Sequence, residues 1–432
     1  MKKTLLILLT LTAASVLSRD LSLEQALRLA VEHSQTLKAA EADRLSAESM
    51  VSAAQAERFP TLSLDASARY IDQVSAFTID IPPMVHIERE IGSHEAYQAD
   101  WRLRIPLYTG GRISSAVAMA KSSRDYQIAM NDLQRDRVLL QARVDYFNLS
   151  RAMELQRAAE ASLKRTEIIQ KDVHWLFDAG AADSIDLLDA RLARTRSDFA
   201  LRQAEINIES SRIYLLSHIG LSATEQVTLV DSLPDPTVDL NRITPSGTRP
   251  ELTAAGAGVK IGEAKVGTEQ SAYLPSLAAY GGYSYGKPNL DQFNNTWNHY
   301  FTVGAQLQWS LNLGGRTASR KKATVHSLDA ARRHYDDVVE SITRETDLAF
   351  EQLRLAHTRY FSALDEWRIA GADFELARQQ HQNGALTSNR LLEIEASLSQ
   401  SEASLAAAKL DFYIAQSAYY FAVANDNLGK GL

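Results

Sequence analysis

Three residue classes in this chain have the types that chemistry needs: ten histidines for metals, glycine-rich runs for phosphates, and serines for nucleophilic attack. None of them is spaced for the task. There is no HExxH pair, and no histidine is grouped with acids at ligand spacing. The two GGR runs (Gly110, Gly111, Arg112 and Gly314, Gly315, Arg316) lack the Lys-Ser/Thr of a phosphate loop and follow amphipathic rather than buried strands. The run GAGVKIG at 256–262 follows Pro250 and a helical pattern, so it reads as helix rather than nucleotide loop. No Ser–His–Asp set has a supporting context. With no cysteine there is no disulfide, thiolate nucleophile or thiolate metal site. The residues therefore point to no enzyme, no metal and no cofactor. A net charge of −7 with no basic face argues against nucleic acid as a partner.

The start of the chain predicts export. Lys2 and Lys3 precede an apolar run from Leu5 to about Ala14 and then small residues, which is the pattern of a signal peptide over 1–18. Cleavage is expected after Ser15 or Ser18. No other run approaches the roughly 18 apolar residues that a membrane-spanning helix requires.

Beyond residue 18 the chain repeats itself. GGR at 110–112 returns at 314–316, and "GAADSIDLLD" from Gly180 returns as "GALTSNRLLE" from Gly384; both pairs stand 204 positions apart (112 to 316, 180 to 384). The pattern predicts a first repeat over 19–221, a linker over 222–250 and a second repeat over 251–432. In the first repeat, helices are expected over about 21–57, 112–178 and 184–218, with strands over about 61–72 and 96–108. The second repeat is expected to have helices over about 251–272, 316–383 and 388–425, with strands over about 275–286 and 300–313. Ser22 with Gln25 predicts a capping box for the first helix. The segment between the first two strands, with Pro82, Pro83 and Gly92, reads as a long loop, and a short strand is expected near Val227–Val230.

The two longest helices would each extend about 100 Å, which requires a partner along their length. The second supplies a seam stepping 4-3-4-3 through Tyr335, Val339, Ile342, Thr346, Ala349, Leu353, Ala356, Tyr360, Ala363 and Trp367. The first has a ragged version through Tyr126, Met130, Leu133, Leu140, Val144 and Phe147. Each long helix stops at a glycine, Gly180 or Gly384, and Ser184 or Ser388 can start a return helix. These motifs therefore mark the tips of helical hairpins.

The strands alternate apolar and polar residues, with Trp101, Phe301 and Trp309 on the apolar side and Arg102, Arg104 and Gln308 on the other. One strand of this kind fits a soluble sheet. Charges opposite aromatics in strands of about ten residues fit a membrane barrel. Four strands cannot close a barrel, so at least two chains must contribute; three would give about 12 strands and an open lumen.

The order and spacing of these segments resemble the TolC family of outer-membrane efflux and secretion channels over essentially the whole mature chain. The matching stretches are "LSLEQALRLAVEHSQTLKAAEA", "FPTLSLDASARY", "IPLYTGGR", "SLNLGGR", the two tips, and "RPEL" at 249–252. The resemblance implies a mainly α fold with a membrane β-barrel part. Long antiparallel helical hairpins would form an α-barrel, and four strands per chain would complete a trimeric barrel of about 12 strands. It also implies an outer-membrane location with the helices in the periplasm, contact with outer-membrane lipid, a periplasmic adaptor (membrane fusion protein), and an inner-membrane pump of RND, ABC or MFS type. The chain would then be the passive exit duct of an efflux pump or type I secretion system.

Mapped residue by residue, the resemblance makes Asp183, Asp186, Asp189, Arg390, Glu393 and Glu395 gate candidates. A ring of such acids would favour cations. Asp183 admits a second role as the cap of the helix that starts at Ser184. Arg390 stands where family members often carry an acid, and a bond to Asp186 or Asp189 would lock the closed state. Gly180, Ala181, Gly384 and Ala385 are the expected adaptor-docking tips. The competing reading is a structural or adhesive trimeric outer-membrane coiled-coil protein without export activity. Trimeric adhesins, however, carry their strands at the C-terminus, whereas these lie in two mid-chain hairpins.

Overall fold

The protein is described by a computed structural model over residues 19–91, 93–237, 240–243, 248–290 and 295–431. The expected signal peptide, 1–18, lies outside the described residues. Strand β1 (Arg19–Leu21) leads into α1 (Leu23–His33), whose N-cap Ser22 forms the capping box with Gln25. The helix expected over 21–57 is broken at Ser34. That residue ends α1, and its hydroxyl accepts from the Leu37 amide to start α2 (Gln35–Ala56). After β2 (Thr61–Tyr70), the segment expected as a long loop is instead a hairpin of β3 (Ser75–Ile81) and β4 (Val85–Ile91). Phe77, Ile79 and Ile81 alternate with polar residues on β3, a period-2 signal masked by the proline pair at the turn.

Strand β5 (Glu95–Tyr108) then feeds α3 (Arg112–Asp178), and α4 (Ser184–His218) returns. The linker carries β6 (Val227–Leu229), which pairs in parallel with β1. The second cycle is α5 (Pro250–Ser271), β7 (Ser276–Lys287), β8 (Asn298–Gln308), α6 (Arg316–Gln382) and α7 (Ser388–Ala422), closed by a 3₁₀ turn at Asp426–Gly429. α3 and α6 are both 67 residues long, and α4 and α7 are both 35, so the repeat written in the sequence is also a repeat of dimensions. Strand β8 stops at Gln308 rather than near 313. Its partner β7 begins at Ser276, and the preceding Pro275 has no amide hydrogen to extend the ladder. Helix α7 ends at Ala422, where Ala424 takes a left-handed φ of 49°.

The chain forms two compact units. One comprises residues up to Glu41, Met130–Glu251 and Val339 onward. Its core packs Leu21, Leu23, Tyr146, Phe147, Leu215, Leu216 and Tyr419, each essentially fully buried, and each contributes about 1.5–3 kcal/mol from burial alone. The seam predicted on α6 is buried in its middle, at Ala349, Leu353, Ala356, Tyr360 and Ala363, whereas Val339 and Trp367 remain exposed. The other unit, Ala42–Ala129 with Leu252–Val338, holds the four-stranded sheet. There GAGVKIG lies inside α5 and serves close packing. A Cβ on Gly262 would come within 3.0 Å of Leu328, and one on Gly267 within 2.6 Å of Ser115. Among the described residues, no helix is long and apolar enough to cross a membrane.

Candidate functional site

The sheet of the second unit runs β2–β5–β7–β8, antiparallel throughout. Its register sorts the side chains by chemistry, because alternate residues point to opposite faces. One face carries the cross-strand row Leu64, Trp101, Tyr283, Phe301 and the neighbouring row Leu62, Leu103, Gly281, Val303. The opposite face carries Ser63, Arg102, Gly282, Thr302 and then Asp65, Asp100, Ser284, Tyr300. On the polar face Arg102 reaches Asp100 at 3.2 Å and Asp65 at 3.6 Å.

The apolar face is open, whereas on the polar face Ser284 is buried, with Asn289 donating to its hydroxyl at 3.3 Å. Every residue of β2 is exposed, and on the apolar side Phe301 is 78 % and Val303 82 % exposed. A soluble sheet would bury that side against a core. The outer strands β2 and β8 each have a partner on one edge only. Trp309, expected on the same apolar side, lies just past β8, with its indole N–H donating to the Tyr273 carbonyl at 3.1 Å.

The two helical tips share one geometry. Gly180 and Gly384 sit at φ of 74° and 73°, a region that glycine enters without steric cost. In each tip the next residue's amide (Ala181 or Ala385) reaches back five residues to a helix carbonyl, Leu176 at 2.8 Å or Gln380 at 2.9 Å. Gly110, Gly111 and Gly315 also have positive φ, which turns the chain from strand into helix; Gly314, Arg112 and Arg316 have ordinary backbone.

The gate candidates separate into three groups. Asp183 caps α4, accepting from the Ile185 and Asp186 amides at 2.8 and 2.9 Å, and Asp186 returns a bond to the Asp183 amide. Asp189, Glu393 and Glu395 line one groove of about 760 Å³ with residues of α3, α4 and α7. Arg390 bonds Glu393 on its own helix at 2.8 Å, so the expected lock to Asp186 or Asp189 is not formed; a pair three residues apart on one helix face forms without any crossing contact. Glu395 also departs from expectation. It sits at the wall of the same groove, only 4 % exposed, and its carboxylate is already held within the protomer by Arg165, Ser162 and Ser399 at 3.2, 3.0 and 2.6 Å.

Three arginines that the sequence did not single out prove to be internal anchors. Arg165 on α3 grips Glu395 and Glu402 on α7. Arg249, the first residue of RPEL, bonds Glu251 and Glu345 and lies 5.2 Å from the Phe421 ring. Burial opposes its charge, but the two carboxylates outweigh burial and hold its pKa above the ordinary value. Among the described residues Arg143 has no such carboxylate, and burial pulls its pKa down. It donates instead to the Asn427, Leu428 and Lys430 carbonyls and to Ser417. For Arg143 and Arg165 a charged residue inside a helical pattern was the available signal; their partners lie too far along the chain to be read from spacing.

The sequence profile of the outer membrane efflux protein family matches residues 26–221 and 247–425. The cation efflux system protein CusC of Escherichia coli O6:H1 is 24 % identical over 297 residues, covering 65 % of this chain; the chain thus spans 62 % of that relative's length. Among solved structures, the outer-membrane channel OprN superposes with a TM-score of 0.78 at 19 % identity, covering 94 % of this chain and 90 % of OprN. The outer membrane protein VceC of Vibrio cholerae gives 0.78 at 18 % identity, covering 93 % and 96 %. At these identities the structural likeness speaks to the fold, a helical assembly with a β part. The profile match, which takes in most of both repeats, settles the kinship: the chain belongs to the outer membrane efflux protein family.

Proposed function

We propose that this chain is the exit duct of an export machine, working in the outer membrane as a closed ring of three copies. The observation that carries the reading is the sheet, polar on one face, apolar and exposed on the other, and open at both edges among the described residues. In lipid every strand edge must be paired. Three copies edge to edge would supply about 12 strands, with the apolar rows toward lipid and the polar rows around water.

The helices supply a second argument for a ring. α4 carries an exposed apolar stripe at Ile185, Leu188, Leu192, Phe199, Ile206 and Ile213, and Phe199 is 66 % exposed. α6 carries another at Leu348, Leu355, Ile369 and Leu376, each seven or fourteen residues from the last, with Ile369 71 % exposed. Both have the heptad spacing that seeks a partner helix. The two stripes differ, so matching α4 of one copy to α6 of the next gives a head-to-tail contact of the kind that closes rings.

In this reading the Gly180 and Gly384 tips meet a periplasmic adaptor, an RND, ABC or MFS pump supplies the energy, and the tip acids Asp183, Asp186, Asp189 and Glu393 restrict the passage. Two results are expected. Full-length protein reconstituted into liposomes should release an entrapped small solute, and vesicles that stay sealed would refute the channel. Brominated lipid should quench the fluorescence of Trp101 and Trp309; unquenched emission would remove the apolar face from the bilayer.

A further inference from the structure

Where β5, β7 and β8 run into the helices, the polar side of the sheet ends in a cavity of about 720 Å³. Three guanidinium groups line it: Arg104 from β5, Arg112 at the start of α3 and Arg320 in the opening turns of α6. Two carboxylates answer them, Glu57 and Glu269, and Glu57 is engaged by Arg112 at 3.0 Å. Among the described residues, neither Arg104 nor Arg320 has a carboxylate within ion-pair distance. The cavity thus holds one positive charge in surplus.

The helix ends add to it. A helix N-terminus carries about half a positive charge, so acids are the residues expected in a first turn. Neither α3 nor α6 has one there; α6 opens instead with Arg316, Arg320, Lys321 and Lys322. Placing cations on the positive end of a helix works against folding, and such local violations are characteristic of functional sites. Tyr280, the register partner of Arg104, lies across Gly304, where a Cβ would come within 2.6 Å of its hydroxyl. Gly304 thereby keeps the phenol close to the sheet.

We propose that this cavity is a binding station for anionic solutes bearing a carboxylate, sulfonate or phosphate, with Arg104 and Arg320 as the groups that engage them. The proposal rests on the channel reading and names a class of cargo for it. Thr61, Gln306 and Gln308 line the same cavity, which puts it on the water-facing side of the sheet and assigns the anion to a solute rather than a lipid headgroup. The relative CusC is a cation efflux protein; the junction in this chain has the charge that would repel a cation.

The test is calorimetric titration of the detergent-solubilised full-length chain with inorganic pyrophosphate, with spermidine as the cationic control. Saturable pyrophosphate binding is expected, weakened about tenfold or more in Arg104→Gln and in Arg320→Gln and largely kept in Arg104→Lys. Spermidine should show no saturable binding. All three variants alter exposed polar groups, so an unchanged gel-filtration profile is expected and confirms folding. Absent binding, or equal binding in wild type and both Gln variants, overturns the station. Displacement of pyrophosphate by phosphatidylglycerol overturns the assignment to a solute. A chain that releases liposome contents yet ignores pyrophosphate loses the station and keeps the channel. One that binds pyrophosphate in sealed vesicles loses the channel and, with it, the role in cargo passage.

Discussion

Phe301→Arg should cost about 2–4 kcal/mol of folding stability in liposomes, the penalty for a cation on the lipid face of a membrane strand. In a soluble protein the same change would be nearly silent, since a side chain 78 % exposed has little packing to lose. The control is Thr302→Arg, one residue along on the polar face, in the same row as Arg102 with Gly282 between them. That variant should stay within about 1 kcal/mol, because lumen positions face water. Urea titration of refolded samples measures both. Equal effects at the two positions would mean that the faces do not see different solvents.

Arg143→Ala should destabilise the first unit by about 2–4 kcal/mol, the combined cost of buried carbonyls left without a donor and of a cavity. Arg143 is 2 % exposed, and its guanidinium ties three carbonyls of residues 427–430 to α3. It also lies between the Phe147 and Tyr420 rings, at 6.0 and 5.8 Å. Truncation leaves the carbonyls without their donor and opens a void beside two aromatics. Arg143→Lys should recover only part, because a single nitrogen cannot bond the carbonyls and Ser417 together. Hydrogen exchange at Leu428 and Lys430 should rise by the same free energy as global stability falls. Unchanged exchange there would show that the anchor does not hold the terminal segment.

How much of this was legible in the sequence depended on distance along the chain. The duplication, the helical tips and the strand alternation are local patterns, and the glycines of the tips announce their own backbone conformation. The double role of Ser34 was not legible, because a serine inside a helical period looks tolerable until its hydroxyl is seen capping Leu37. The exposed stripes on α4 and α6 were hidden by their spacing: an apolar residue every seven looks like scattered surface until the helix winds them onto one side. Glu395 misled for a related reason. An acid near a tip suggests a lumen, but the Arg165 that neutralises it lies 230 positions away. The surplus charge at Arg104 and Arg320 needed the strands and helices brought together around one cavity.

The central claim is that one copy leaves the sheet unfinished and a ring of identical copies completes it. Light scattering of the detergent-solubilised full-length protein, corrected for bound detergent, tests this most directly. The account predicts a single species with the protein mass of three chains. A monodisperse particle with the mass of one chain would contradict it.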